Sequence, residues 1–108
     1  MSKATYWQRG ESLDYTNTGI ILIKAGTIID LGTRIGVTGT DIKPGETGSL
    51  HVTGVYAIAK TGTEIIEMGT AVYFDGDGIT SAAGSTPAGY AAATAEADAT
   101  EILVKLLG

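Results

Sequence analysis

The chain has no cysteine, only two prolines, few aromatic residues and no long apolar run. The lack of cysteine excludes a disulfide framework and any zinc site built from thiolates. No segment approaches the roughly 20 apolar residues that cross a bilayer, so we expect no membrane partner. The opening residues, MSKATYWQRG, lack the apolar stretch of a signal peptide, and we therefore expect no export by that route. Core packing must hold the fold together, with oligomerisation as a further source of stability.

Basic residues are also scarce, because 7 Lys and Arg stand against 12 Asp and Glu, for a net charge of −5. An acidic surface does not attract phosphates, so general nucleic-acid binding is disfavoured. The charge is uneven, however, since the first ten residues carry Lys3 and Arg9 and no acid. At 108 residues one domain is expected. The sequence predicts a basic N-terminal arm, residues 1–10, before an acidic β-rich domain, residues 11–108.

Branched residues and glycine are what the sequence has in quantity: 12 isoleucines, 16 threonines and 16 glycines. Branched side chains fit a pleated sheet better than a helix, and scattered glycines mark turns. Many short strands with frequent turn signals indicate an all-β fold. We predict a small single-domain β-barrel or β-sandwich of short strands with an extended N-terminal arm.

Turn signals divide the first half of the chain into short strands. Residues 17–19 (NTG) are predicted as a turn between two strands within 12–24, and 31–34 (LGTR) as a second tight turn. Pro44-Gly45 is the turn signal of a loop over residues 40–48. A long strand is predicted over 48–62, with Gly54 marking a bulge or a close backbone approach.

The second half contains a predicted hairpin over residues 71–82, turning at Asp75-Gly76, and a small-residue loop over 83–89. The last segment, 88–108, is ambiguous, because its alanines suit a helix while Ile102, Val104 and Leu106 alternate with a period of two. We predict two strands here, with the turn at 95–100.

Two stretches, 25–38 and 68–81, both read Gly-Thr, an apolar strand, a glycine-containing turn and a second short strand. Their spacing of about 43 residues indicates a duplicated hairpin. The same pattern also arises by chance because few residue combinations are common in β-turns, so both explanations stay open.

His51 is the only histidine. In a strand, Leu50 and Val52 share one face while His51 and Thr53 share the other. A catalytic histidine requires an orienting carboxylate and a nucleophile, and the chain contains no G-x-S-x-G elbow. We interpret His51 as an outward-facing or interface residue of a strand, with no catalytic role.

Other candidate sites are equally weak. The acidic turn 75–78 (DGDG) resembles the start of a calcium loop, but the twelfth position is Thr86 where that loop needs a glutamate. Glu64 and Glu67 are interpreted as solvated surface, and residues 36–45 lack the order of a phosphate-binding loop. We therefore expect no metal, no cofactor and no enzymatic activity.

The N-terminal arm holds the chain's one tryptophan, Trp7, beside Tyr6, in a segment without a core pattern. Aromatic and arginine side chains dominate binding hot spots, so the arm is a candidate binding segment. Its candidate contact residues are Lys3, Tyr6, Trp7, Gln8 and Arg9. In the alternative interpretation, Tyr6 or Trp7 covers one end of the same domain.

The order of these elements along the whole chain resembles a known family. The residues that carry the resemblance are 8-QRGESLDYTNTG-19, 25-AGTIIDLGTRIGVTGTDIKPGETGSLHVTGVYAIAK-60, 68-MGTAVYFDGDGITS-81 and 87-PAGYAAATAEADATEILVKLLG-108, and the most specific parts are 35–60 and 88–108. This pattern is similar to the small capsid decoration, or cement, proteins of tailed bacteriophages and prophages. Its elements are glycine turns rather than catalytic signatures, so their shared order gives the resemblance its weight.

The resemblance implies a structural protein that binds the outside of an assembled phage head and stabilises it, without catalysis or cofactor. It implies the major capsid protein as partner, self-association as a trimer on the shell, and an extended arm, residues 1–10, that reaches the shell. It also implies a virion location on the outer capsid surface after synthesis in the bacterial host cytoplasm, which suits a chain without cysteine.

Three other functions would each require a feature of their own. A β-barrel recognition module for carbohydrate or peptide, displayed on a particle, would need clustered exposed aromatic residues. A small hydrolase would depend on His51. A nucleic-acid-binding barrel is disfavoured by the acidic domain.

Overall fold

The computed structural model describes residues 2–107, which form nine β-strands and no helix. Four strands form a first sheet in the order β1-β4-β3-β2, and five form a second sheet in the order β5-β9-β8-β6-β7. The pairing within both sheets is antiparallel. The strands are β1 (Ser12–Thr16), β2 (Ile28–Asp30), β3 (Ile35–Thr38), β4 (Thr47–His51), β5 (Val55–Ala59), β6 (Ala71–Phe74), β7 (Ile79–Thr80), β8 (Thr86–Ala91) and β9 (Glu101–Leu106). The all-β prediction is confirmed, and of its two architectures the structure is sandwich-like, without a closed barrel.

The core lies between the two sheets. The second sheet supplies most of it, from alternating positions of its strands, and the first sheet adds Ile35 and Val37 of β3. Alternation explains the burial in β9, where Ile102, Val104 and Leu106 are buried and Glu101 and Leu103 are exposed. The prediction of strands in the last segment is therefore confirmed. The buried cluster comprises Ile35, Val37, Ile58, Ile66, Val72, Ile79, Ala88, Ala91, Ala95, Ile102, Val104 and Leu106.

The second sheet curls until its outer strands touch at one end. Lys60, just after β5, forms a parallel bridge with Ile79 of β7. The Thr61 N–H donates to the Ile79 carbonyl at 2.9 Å. Nearby, the Thr86 hydroxyl donates to the Asp30 carboxylate at 2.9 Å and so links the second sheet to the first. The sheets are thus tied at one margin and separate at another.

The strand order of the first sheet recurs in the second, so the correspondence between the two halves of the chain covers more than a hairpin. Residues 18–27 (TGIILIKAGT) correspond to 61–70 (TGTEIIEMGT) at the predicted spacing of about 43 residues. The strand orders β1-β4-β3-β2 and β5-β9-β8-β6 correspond one to one. β7 and the loop that follows it are an insertion in the second copy. The predicted match of 35–38 with 78–81 does not hold, because β3 corresponds to β8 and not to β7. The correspondence is therefore between whole sheets rather than between two hairpins, with one copy in each sheet.

Backbone hydrogen bonds repeat with the strands. The bridge of Ile23 with Ile42 corresponds to that of Ile66 with Ala95, and each is held by two hydrogen bonds of 2.7 to 3.0 Å. Two buried polar residues also correspond. The Asn17 side-chain amide donates to the Ile21 and Ile42 carbonyls at 2.8 and 2.9 Å. The Lys60 ammonium donates to the Gly62 and Ala97 carbonyls at 3.5 and 3.3 Å. The Asn17 amide thus satisfies the buried Ile42 carbonyl, and the buried Lys60 ammonium finds its acceptors in the carbonyls of exposed loop residues.

Three sequence predictions about element boundaries are wrong. Residues 20–24 form an exposed loop with a single bridge at Ile23 instead of a strand. The long strand predicted over 48–62 is two strands in different sheets, because Gly54 has a φ of +114°, which breaks the extended backbone. The predicted loop 83–89 already contains the start of β8, where Pro87 faces a register shift between Val72 and Tyr73 of β6.

The tight turns agree better with prediction. The Leu31 N–H donates to the Arg34 carbonyl at 2.8 Å and closes the β2–β3 hairpin. The Glu46 N–H donates to the Lys43 carbonyl at 2.9 Å across Pro44-Gly45. The β6–β7 hairpin is present as predicted, but the residues at its tip are Gly76 and Asp77, since Asp75 pairs with Gly78.

Gly89 is the position where the fold depends most directly on glycine. It has a φ of +143°, and an added Cβ would lie 1.9 Å from the Lys105 carbonyl oxygen of β9. We predict that Gly89→Ala lowers the free energy of unfolding by about 2–4 kcal/mol, from overpacking and backbone strain together. Gly62→Ala is the matched control, because its φ is +81° but no atom lies within 4 Å of the added Cβ. Denaturant unfolding should show a loss of only about 1 kcal/mol for this control; equal losses would contradict the close-contact explanation.

Candidate functional site

The predicted N-terminal arm is exposed along residues 2–9. Residues 2–9 form no strand, and Tyr6 and Trp7 are 81% and 88% exposed. The first backbone bond to the domain comes at Glu11, whose carbonyl accepts the Val52 N–H at 3.0 Å. Arg9 and Glu11 form an exposed ion pair at 3.8 Å. The arm therefore presents two aromatic side chains and a basic stretch to solvent.

A second exposed apolar feature, the 19–22 loop, follows β1 at its other end. Ile20 and Ile21 are 92% and 74% exposed. The loop is held in place because Asn17 bonds both the Ile21 carbonyl and the buried Ile42 carbonyl. The corresponding residues of the second repeat are Thr63 and Glu64, which are polar. Sequence reasoning missed this loop, because the run of apolar residues resembled a strand.

A cleft of about 580 Å³ opens where the two sheets separate. Apolar side chains of the first sheet and the outer strand of the second sheet form its walls, and polar groups of His51, Thr38 and Asp77 lie among them. The lining residues are Gly26, Ile28, Val37, Thr38, Gly39, His51, Tyr56, Ala57, Ile58, Ala59 and Asp77. These residues come from both repeats, so the sequence alone could not predict the cleft.

His51 lies on β4 and is half-buried at this cleft. Its imidazole packs against Gly39, where an added Cβ would lie 2.3 Å from Nε2. Its imidazole makes no hydrogen bond within residues 2–107, so no carboxylate orients it for proton transfer there. The prediction that His51 sits on a strand is confirmed, although its side chain lines a cleft rather than facing open solvent.

The acidic turn of the second sheet uses its carboxylate to close the hairpin. Asp75 Oδ1 accepts the N–H groups of Asp77 and Gly78 at 2.9 Å each, and Oδ2 accepts the Thr61 hydroxyl at 2.8 Å. The Asp77 N–H, the Thr61 hydroxyl and the Gly78 N–H, in that order, lower the pKa of the Asp75 carboxyl. These bonds occupy the oxygens that a calcium loop would offer to the ion.

In the described part of the chain, no group of three or more His, Asp and Glu side chains is arranged to hold a metal ion. Residues 2–107 contain no helix of the length and hydrophobicity needed to cross a bilayer. Glu64 and Glu67 are exposed on the loop before β6, with Glu64 accepting the Ser81 hydroxyl at 3.3 Å.

Exposed apolar side chains on an arm and a loop of an all-β domain are typical of a protein that binds another macromolecule. Comparison with known families identifies the family. The sequence profile described as "phage cement protein" matches residues 7–106, so the chain belongs to the phage cement protein family. No curated protein and no solved structure gives a significant match. The protein is therefore a capsid decoration protein that binds and stabilises the phage capsid, within a structural rather than enzymatic family.

The Asp75 bonds generate a pH-dependent prediction. A carboxyl whose pKa is lower in the folded state stabilises the fold above its unfolded value of 3.8, and this contribution is lost as pH falls through the folded value. Asp75→Asn should lower the melting temperature at neutral pH, and the difference from wild type should shrink well below pH 3.8. Asp77→Asn is the matched control, since the Asp77 carboxylate accepts no hydrogen bond among the described residues. A constant difference across the pH range would contradict the role of the Asp75 charge.

Proposed function

We propose that the protein binds the outer surface of the assembled phage head by its N-terminal arm, residues 1–10, and contacts the major capsid protein there. The observation that carries this proposal is the exposure of Tyr6 and Trp7 on a segment with a basic end, within a chain of the cement family. Lys3, Gln8 and Arg9 complete the proposed contact set. Residues 11–108 are the domain that remains on the shell, and they perform no catalysis.

The 19–22 loop supports a second contact with the capsid. Exposing two adjacent isoleucines to water is unfavourable in free energy. A contiguous exposed apolar patch of this kind is typical of an interaction site. The repeat sharpens this argument, because the corresponding loop keeps the backbone path but carries Thr63 and Glu64. The fold therefore does not require apolar residues at these positions.

Copies of the protein are proposed to cluster as trimers on the shell, after synthesis in the host cytoplasm. Binding that favours the assembled lattice stabilises that lattice by mass action. Many copies bind one head, so modest contacts of each copy add up over the shell. The recognition-module alternative receives less support, because Tyr15, Tyr56, Tyr73 and Phe74 are partly buried and only Tyr90 of the domain's aromatic residues is exposed.

The first prediction from this proposal concerns the arm. Protein starting at Glu11 should lose saturable co-sedimentation with heads that lack the decoration protein, while full-length protein binds. Trp7→Ala should weaken head binding by about 2 kcal/mol, or roughly thirtyfold, with little change in melting temperature. Tyr90→Ala is the matched control, because Tyr90 is an exposed aromatic residue of the domain.

Either of two results would contradict the arm's role. Equal damage to head binding and melting temperature by Trp7→Ala would make Trp7 part of the folded domain. Full binding by protein starting at Glu11 would move the contact surface to the domain and keep the decoration function. No binding by full-length protein would contradict the proposed contact altogether.

The second prediction concerns the loop. Replacing Ile20 by Thr and Ile21 by Glu gives the first repeat the residues of the second. We expect weaker head binding, by about tenfold or more, because burying the two isoleucines no longer contributes to docking. The free energy of unfolding should change by no more than about 0.5 kcal/mol, since both side chains are exposed. Ile65→Thr, at an exposed position of the corresponding loop, is the control; equal effects of both variants would argue against a specific contact.

A further inference from the structure

One wall of the cleft is an open strand edge. The Lys60 N–H donates to the Thr100 carbonyl at 2.9 Å, and the Leu106 N–H donates to the Gly54 carbonyl at 3.0 Å. In an antiparallel pair the backbone groups point alternately toward and away from the partner strand. Those of Val55 and Ala57, at the odd positions of β5, therefore point away from β9. The edge is covered at its far end, where Lys60 bridges Ile79 of β7 beside Ala59, but within residues 2–107 no strand pairs with Val55 or Ala57 on that side.

This edge lacks the features that protect edge strands from pairing. β5 reads VYAIA, without charge or proline, whereas the corresponding edge strand β1 carries Asp14 at the position of Ala57. Charged residues and proline are the usual protection of such edges. Beside the open edge lie the apolar side chains of Ile28 and Val37 and the carboxylate of Asp77. An unpaired edge next to an apolar cleft is the geometry that binds an extended peptide by strand addition.

We propose that the N-terminal arm of a second copy of this chain adds to the open edge of β5 and places Trp7 in the cleft. The cleft, at about 580 Å³, lies within the range of about 300–1,000 Å³ found for pockets that enclose small ligands. Residues 2–9 of the arm are exposed and form no strand of their own. The unpaired backbone groups of the arm can form hydrogen bonds with those of the β5 edge. The exposed Trp7 side chain can pack against the apolar walls of the cleft.

Charge selects which side of the arm enters the cleft. Side chains of a strand alternate between its two faces, so Lys3, Trp7 and Arg9 share one face while Tyr6 and Gln8 share the other. The face with Trp7 carries both basic residues of the arm. Asp77, an acidic residue of the cleft lining, can form an ion pair with either of them. Tyr6 and Gln8 then remain outside, facing the shell. This inference rests on the proposed role of the arm and reassigns part of its contact set: Lys3, Trp7 and Arg9 contact a neighbouring copy, and Tyr6 and Gln8 remain as capsid contacts. Trp7→Ala then weakens head binding through the lost contact between copies.

The occupant is assigned to a second copy because the arm of the same chain lies outside its own cleft, with Trp7 88% exposed. Arm and cleft are different surfaces of the chain, so the contact joins copies head to tail. Each copy both donates an arm and receives one, and a closed ring of copies leaves no cleft empty.

The test uses the full-length protein without heads, and Trp7 reports its own position because it is the only tryptophan. Over a dilution series, tryptophan emission and sedimentation velocity are measured on the same samples. We expect the emission to move to shorter wavelength as the mass rises above that of one chain. Protein starting at Glu11 and the Trp7→Ala variant should remain single chains, whereas Tyr6→Ala should associate like the wild type.

Two edge variants separate the cleft from general effects on folding. Ala57→Pro removes an N–H that faces the open edge and should abolish association. Asp14→Pro makes the same change at the corresponding edge position of β1 and should leave association intact. Should Ala57→Pro unfold by circular dichroism, Asp77→Lys in the exposed turn replaces it. Association lost in Asp77→Lys should return when Lys3 and Arg9 are both changed to Asp in that variant.

A mass of one chain at every concentration would overturn the inference. Emission at short wavelength in that single chain would show that the arm fills its own cleft, and emission at long wavelength would show that nothing fills it. Head binding is measured separately. Saturable head binding by a protein that never self-associates would refute the arm exchange and support the proposed function. Self-association without head binding would support the arm exchange and refute the proposed contact of the arm with the head.

Discussion

The packing of Ile35 and Val37 onto the apolar side of the second sheet is the contact on which the rest of the structure depends. The first sheet has strands of only three to five residues, and a sheet of this size needs an apolar face covered by another layer. The second sheet provides that cover with most of the buried residues. This contact places β1, and therefore the arm that precedes it, relative to the domain. It also creates the cleft at the margin where the sheets separate.

The repeat shows which positions serve the fold and which are free to differ. The bridges at Ile23 and Ile66 have the same backbone bonds in both copies, and Asn17 and Lys60 satisfy loop carbonyls at corresponding places. The differences are on the surface. Ile20 and Ile21 stand where the second copy has Thr63 and Glu64, and Asp14 stands where it has Ala57. Because the two copies share a backbone framework but differ in surface residues, each copy can present a different contact surface.

Much of the fold follows from local patterns in the sequence, and each wrong prediction has a structural cause. The alternation of Ile102, Val104 and Leu106 identified β9, and turn residues identified both tight hairpins. The run at residues 20–24 was mistaken for a strand, because periodicity alone does not show that Asn17 holds the loop by its side chain. The chain's change of sheet at Gly54 was not predictable, since it depends on pairing with β9, about fifty residues away.

The candidate site divides in the same way. Composition and charge single out the arm, because an aromatic pair and two basic residues precede the first strand pattern. The cleft could not be predicted, since it joins β3, β4, β5 and the β6–β7 turn, which are distant in the sequence. Its open edge became visible only through the direction of the Lys60 and Leu106 hydrogen bonds.

The arm and the 19–22 loop lie at opposite ends of β1, and this arrangement has a consequence for docking. A strand of five residues spans about 16 Å, so β1 sets the distance between the start of the proposed arm contact and the proposed loop contact. Once one contact forms, the other is already at high effective concentration, and the two together bind far more tightly than either alone. The pairing of β1 with β4 from Ser12 to Thr16 keeps this spacer rigid. In the proposed function, a short rigid strand between two weak contacts lets a small acidic domain bind a lattice firmly, because the start of the arm and the loop are already positioned relative to each other by folding.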